Sequence, residues 1–232
     1  DGLEDFYIGG AKNNLGSIFV QSKNGEFKLM NQPTFEIDKI SEDQTSLFFD
    51  ADSDQDMDLY VGSGSSEFSG ISSALVDRIY FNDGRGNFIK SENGLPLTAR
   101  ENTSTVKAAD YDQDGDLDLV INNVNEVASV LRNDLPSSNY LTVSLKGDFP
   151  NTSGIGTKII VYSKNGKNVH EVIISRGWQS AVDNKAHFGL GTATQVDSLI
   201  VIWPNDKYQK VESVKSNQVF TLNQKDAINN WS

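Results

Sequence analysis

The 232-residue chain contains no cysteine and only two histidines. Without cysteine it has no disulfide, no thiolate metal site and no cysteine nucleophile. The histidines, His170 and His187, are too few for a zinc centre, which needs a cluster of nitrogen, sulfur or oxygen ligands. No apolar run approaches the roughly 18 residues needed to cross a bilayer. The sequence therefore predicts no membrane-spanning segment.

Positive charge is scarce in the first half of the chain. Residues 1–138 carry 10 Lys and Arg against 25 Asp and Glu, whereas residues 139–232 carry 10 against 7. The phosphates of a nucleic acid would meet a field of like sign, so nucleic acid is excluded as a partner of the first half and cations are favoured. Ten of the acids fall within 50–58 and 110–118, a clustering that solubility alone does not require.

Groups suited to catalysis are also scarce. Neither histidine lies beside a serine in a strained turn, and His187 inside "HFGLG" is interpreted as a packing residue. A carboxylate pair for glycoside hydrolysis stays open in a chain so rich in aspartate. We predict a non-enzymatic chain. Arg176 and Trp178 form the one cationic and aromatic cluster that could face a ligand.

Internal repeats organise the first half. The segment "TSLFFDADSDQDMDLYVGSG" (45–64) aligns with "STVKAADYDQDGDLDLVINN" (104–123), and "DGLEDFYIGG" (1–10) matches the second half of this unit. Each unit has an apolar strand, an acidic turn, a second strand and then a hairpin such as "IYFNDGRGNF" (79–88). Repeats of this length with about four strands are typical of β-propeller blades.

The fold class predicted is all-β, with a partial propeller over 1–136 and a second β domain over 137–232. Because about two and a half repeats are too few to close a propeller, we expect further blades before Asp1 in a longer polypeptide. The second domain has seven short predicted strands, at 140–146, 157–163, 168–175, 179–183, 185–189, 197–203 and 217–222. This number of strands indicates a β-sandwich or a compact barrel.

The acidic turns have a regular spacing. Acids occupy positions 1, 3, 5, 7 and 9 of each window, and Gly115 stands at position 6 of the second copy. Converging carboxylates repel one another, whereas oxygen ligands at this spacing suit a hard cation such as Ca²⁺. An EF-hand would need Glu at position 12, where Val61 and Ile121 stand. Two calcium sites are predicted, on Asp50, Asp52, Asp54, Asp56 and Asp58, and on Asp110, Asp112, Asp114, Asp116 and Asp118.

We expect position 7 to contribute its backbone carbonyl, as in the EF-hand loop. The first site should be the weaker one because Gln55 stands where glycine is expected. A third site would keep only Asp1 and Asp5 and should bind no metal.

These motifs resemble a known family. "DADSDQDMDLYVG" and "DYDQDGDLDLVIN", with "YFNDGRGNF" between them, are similar to FG-GAP/VCBS repeats, the calcium-binding blades of integrin-α-like propellers. "NYLTVSLKGDFPNTSGIGTKIIVYSKNGKNVHEV", "GWQS", "AHFGLGTATQVDSLIVIWP" and "VKSNQVFTL" resemble the ASPIC/UnbV domain. The resemblance implies calcium in the loops and carries no defined activity for the second domain.

The functional prediction is a calcium-stabilised binding or adhesion module for a protein or glycan ligand. Loops of this class outside cells bind Ca²⁺ at about 10⁻⁴ to 10⁻³ M, so we predict an extracellular location or a bacterial outer cell surface. Two alternatives remain open: an accessory part of a larger polysaccharide-processing or biosynthetic enzyme, and a structural subunit of a bacterial outer-surface complex.

Overall fold

A computed structural model describes residues 2–66, 72–96, 102–135, 138–164, 166–175 and 181–231. Within them the chain is all-β, with several sheets of which none is closed, as predicted. A partial propeller comes first and a sandwich-like domain follows. No helix in these residues is long and apolar enough to span a bilayer.

Three antiparallel sheets form the first half, and each corresponds to one sequence repeat. The strands are β1 (Phe6–Ile8), β2 (Ser17–Gln21) and β3 (Phe27–Met30) in the first sheet; β4 (Asp43–Phe49), β5 (Asp58–Ser63), β6 (Arg78–Asn82) and β7 (Phe88–Lys90) in the second; and β8 (Thr103–Ala109), β9 (Asp118–Asn123) and β10 (Ser129–Leu131) in the third. Short runs of β-branched and aromatic residues form these strands, because such side chains pack well on a pleated surface.

The three sheets stack on one another through two apolar clusters. Ile18 and Phe35 pack on the second sheet through its residues Leu59, Val61 and Tyr80, all at most 5 % exposed. On the other side of the second sheet, a cluster joins it to the third sheet, through Phe49, Tyr60, Ile79, Val106, Leu119 and Ile121. Successive side chains along the inner strands of the second sheet therefore pack alternately against the first sheet and against the third. Adjacent blades of a propeller pack in this way.

The first sheet has an exposed apolar face. Phe6 stacks on Phe19 with ring centroids 5.0 Å apart and meets the edge of Phe27 at 4.9 Å. Phe6 is 36 % exposed, whereas Leu59, its equivalent in the second repeat, is fully buried. In the second sheet, the face that carries Leu59 is covered by the first sheet. The equivalent face of the first sheet, which carries Phe6, is exposed.

The second half forms two sheets around one core. Their strands are β11 (Asn139–Lys146), β14 (Ala186–Gly191) and β17 (Gln218–Asn223) in one sheet, and β12 (Lys158–Ser163), β13 (Gly166–Glu171), β15 (Gln195–Ile202), β16 (Lys207–Lys215) and β18 (Asn229–Asn230) in the other. Leu141, Phe188 and Leu190 of the first sheet face Ile159 and Leu199 of the second in a buried cluster. Trp203 is 1 % exposed in this core.

Several elements differ from the sequence-based expectation. β16 was not predicted, since its alternating polar residues give a weak apolar signal. The strand expected at 179–183 is not formed over 181–183, and 179–180 lie outside the described residues. The 3-10 turn Pro33–Asp38 was not predicted, and a second 3-10 turn spans Ser73–Leu75.

Candidate metal centre

The two acidic windows form equivalent loops between the first two strands of their sheets. The first loop joins β4 to β5, and the second joins β8 to β9. Backbone φ is positive at the fourth and sixth positions of both loops: Ser53 (+60°) and Gln55 (+87°), Gln113 (+64°) and Gly115 (+101°). The two loops therefore share one tight conformation.

The ninth aspartate of each loop is buried and holds the loop together. Asp58 is 1 % exposed and accepts hydrogen bonds from Ala51 N at 2.8 Å and Asn82 N at 2.9 Å. Asp118 is fully buried and accepts from Tyr111 N and Asn133 N, both at 2.8 Å. In each repeat, one carboxylate thus links the second residue of the loop to an asparagine of the hairpin that follows.

Asn133 connects the two loops directly. Its side-chain Nδ2 donates to Ala51 O of the first loop at 2.7 Å and to Leu117 O of the second at 3.3 Å. Asn82 and Asn133 were not among the residues predicted for the site. Their alignment at the same place in the hairpin motif, after "IYF" and "VLR", is the signal that could have identified them.

Carboxylate oxygens converge in both loops. Those of Asp50, Asp52 and Asp54 lie within 4.8 Å of one another in the first loop, and those of Asp110, Asp112 and Asp118 do so in the second. In addition, Asp56, Asp110 and Asp116 each have a buried Oδ1 that accepts no hydrogen bond within the part of the chain described. Converging oxygens with unused acceptors suit a calcium ion, so the residues present fit the group.

Burial and mutual repulsion disfavour the ionised carboxylates. Desolvation raises the pKa of Asp50 to about 7, and the charges of Asp54, Asp58 and Asp52 add to this, against hydrogen bonding from Gln55 N. Burial likewise raises the pKa of Asp58 to about 7 and that of Asp56 to about 6. A bound cation would remove this cost by neutralising the cluster.

The copies differ at the sixth position. Gly115 adopts positive φ without a steric cost, whereas Gln55 holds φ at +87° with a full side chain, which costs about 1–2 kcal/mol. In the first repeat, Asp5 Oδ1 accepts from Gln21 N at 2.9 Å, as Asp58 does from Asn82 N. Asp1 lies outside the described residues.

The remaining candidates are the two histidines and the Arg176 and Trp178 cluster. His170 is on β13 with its ring 6.2 Å from that of Phe188. His187 is on β14, stacks on Tyr140 at 5.8 Å and has its pKa lowered to about 4 by burial. Arg176 and Trp178 lie outside the described residues.

Curated relatives were found among vertebrate proteins. The chain is 26 % identical over 215 residues to cartilage acidic protein 1 of Xenopus tropicalis, covering 89 % of this chain and 32 % of that protein. It is 25 % identical to the Mus musculus protein and 24 % identical to the Homo sapiens protein, each over 241 residues and 96 % of this chain. The chain spans about a third of the length of these relatives.

Family models match both halves of the chain. The model of the FG-GAP-like repeat matches residues 50–121, which contain both acidic loops. The model named ASPIC and UnbV matches residues 147–229, within the sandwich-like domain. The chain therefore contains FG-GAP-like repeat sequence followed by an ASPIC and UnbV domain, as its sequence motifs indicate.

Proposed function

We propose that this chain is a calcium-stabilised extracellular module that binds a protein or glycan ligand without turning it over. The observation that carries the proposal is the pair of equivalent loops, each with converging carboxylates and buried unused oxygens. The similarity to cartilage acidic protein 1 supports a module of this class. The relatives found are vertebrate proteins, so they give no support to a bacterial surface in particular.

The loops supply the ligands in this proposal. In both loops, the first and third positions offer side-chain oxygens. The first group consists of Asp50, Asp52 and Asp54, and the second of Asp110, Asp112 and Asp118. Asp58, Asp114, Asp56 and Asp116 are the remaining predicted ligands. Calcium would neutralise these carboxylates and fix the loops between their strands. Loops fixed in this way hold their flanking strands in place and so preserve the surface that binds the ligand.

Calcium is expected to raise the thermal stability of the full chain, and Asp114→Ala is expected to remove the share that the second loop contributes. At 10 mM Ca²⁺ and the affinities typical of extracellular loops, each site adds about 1.4–2.7 kcal/mol. Melting should be followed by circular dichroism in chelator and across a calcium titration. Asp226→Ala, an exposed acid in the C-terminal domain, is the matched control and should respond as the parent does. Equal calcium responses of Asp114→Ala and the parent would count against the proposal.

Calcium affinity is expected to fall as pH decreases from 8 to 6. The pKa values of Asp50 and Asp58 in the metal-free chain, both about 7, mean that these groups take up protons in this range. A protonated carboxyl is a poor ligand, so calcium must displace the proton and the binding reaction releases protons. Calorimetric titrations at pH 8, 7 and 6 in buffers of different ionisation enthalpy measure both effects. An affinity that does not change over this range would contradict the prediction.

The ligand-binding half of the proposal has its own test. The full chain, loaded with calcium, should show saturable binding on an array of extracellular-matrix proteins and glycans, and the bound ligands should be recovered unchanged. Turnover of an array glycan by the purified chain would instead favour the enzyme alternative.

A further inference from the structure

One face of the C-terminal domain lies directly on both acidic loops. β11 and β14 pair antiparallel, with Tyr140 opposite Gly189 and Thr142 opposite His187. The side chains between them in sequence, Leu141 and Phe188, enter the core of the domain. Because side chains alternate along a strand, Tyr140 and Gly189 belong to the opposite face, which we call the loop-facing surface.

Gly189 allows the first loop to approach this surface. A Cβ placed on Gly189 would overlap Asp50 Oδ2 and lie 2.6 Å from Ser53 Cα. The φ of Gly189 is not in the left-handed region, so backbone conformation does not demand glycine. The space taken by Asp50 and Ser53 does.

Hydrogen bonds hold the first loop in this position. Gly191 N donates to Ser53 O at 2.8 Å, and Ser163 Oγ of β12 donates to Gln55 Oε1 at 2.8 Å. Ser53 and Gln55 are the two residues of this loop with positive φ. The C-terminal domain thus supports the loop at its two strained residues.

Tyr140 makes the equivalent contact with the second loop. Its ring lies so close to Gly115 that a Cβ there would overlap the ring. Its partner across the strands, Gly189, contacts the first loop. One cross-strand pair therefore touches the sixth position of one loop and the first and fourth positions of the other.

We propose that Gly189 and Tyr140 are positioning residues for cation binding, so that the C-terminal domain completes both sites. This rests on the proposed function, because it requires that the loops bind calcium. A site whose carboxylates are held by a rigid wall loses less conformational freedom on binding, and residues that support metal ligands typically contribute about 10–100-fold in affinity. Neither residue supplies an oxygen to the cation; each acts through the loop it contacts.

The test measures calcium affinity one loop at a time in the full chain. Asp114→Ala disables the second loop, so calorimetry of this background reports on the first; Asp54→Ala serves in the same way for the second loop. Gly189→Ala is expected to weaken the first loop about 10–100-fold and to leave the second within about threefold of its parent background. Tyr140→Leu is expected to weaken the second loop more than the first. Circular dichroism of each variant checks that the sandwich is folded.

Val219→Ala is the matched control. Val219 is on β17, where it pairs with Thr142 of β11 and so lies on the same face of the same sheet, but its side chain is 55 % exposed. It should change neither affinity. The inference is overturned if folded Gly189→Ala binds calcium in the first loop as its background does, or if it weakens both loops alike. If Gly189→Ala does not fold, Tyr140→Leu decides in the same way. Absence of calcium binding by the unmodified chain would overturn the proposed function itself, and this is measured before any variant.

Discussion

Arg78→Met is expected to lower the free energy of unfolding by about 3–5 kcal/mol, the range for removing one partner of a buried ion pair. Arg78 and Asp43 pair with 4 % and 5 % of their side chains exposed. Arg78 also donates to Ser63 Oγ at 3.1 Å. Methionine fills much of the space but leaves the Asp43 carboxylate buried without its cation.

The reason for the large effect is the position of this pair between two sheets. Asp43 also accepts from Tyr7 Oη and, at 2.7 Å, from Gly10 N of the first repeat. Loss of Arg78 therefore weakens the contact of the first sheet with the second as well as the second sheet itself.

Urea denaturation at constant calcium, followed by circular dichroism, measures the change. Lys39→Met is the control, because the Lys39–Glu36 pair is 46 % and 59 % exposed and such surface pairs contribute about 0–1 kcal/mol. A loss for Arg78→Met no larger than that of the control would show that the buried pair is not a stabilising link.

Asp118→Ala is expected to lower stability by about 2–6 kcal/mol even in chelator. The substitution removes the acceptor from Tyr111 N and Asn133 N, and each buried donor left unsatisfied costs about 1–3 kcal/mol. In calcium the loss should be larger, because a carboxylate of the second group is also gone.

Two comparisons separate these contributions. Asp58→Ala removes the equivalent bonds from Ala51 N and Asn82 N and should give a similar loss in chelator. Asp118→Asn keeps one acceptor oxygen and should lose less. If Asp118→Ala is destabilised only when calcium is present, the carboxylate acts as a ligand alone and the structural role is wrong.

Much of the fold could be predicted because the repeats and the alternation of apolar and polar residues can be recognised within short segments of sequence. The acidic windows and their flanking apolar runs identified the strand, loop, strand unit, and β5 and β9 begin at the ninth aspartates Asp58 and Asp118. β16 shows where this reasoning fails. Its sequence mixes Lys, Gln and Glu with Tyr and Val and so gives only a weak apolar signal. β16 joins the sheet because it pairs with β15 on one side and β18 on the other.

The sequence identifies the acids of the candidate site but not the residues that surround them. Aspartates at alternate positions identify possible ligands in the sequence itself. The roles of Asn133 and Gly189 depend on tertiary contacts between distant segments, as in the bond from Asn133 to Ala51, 82 positions away. The Arg78–Asp43 pair was missed for the same reason, since nothing in either residue's neighbourhood marks it as buried.

The parallel pairing of β11 with β17 has a consequence for the order of folding during synthesis. Tyr140 N donates to Asn217 Oδ1, 77 positions further along the chain, and Leu141 to Lys146 pair with Gln218 to Asn223. The blades join strands that are close in sequence and form once their own segment has left the ribosome, whereas contacts of such long separation form late. The acidic turns of the nascent chain therefore stay without their contacts to the C-terminal half until the strand that ends at Asn223 has been translated.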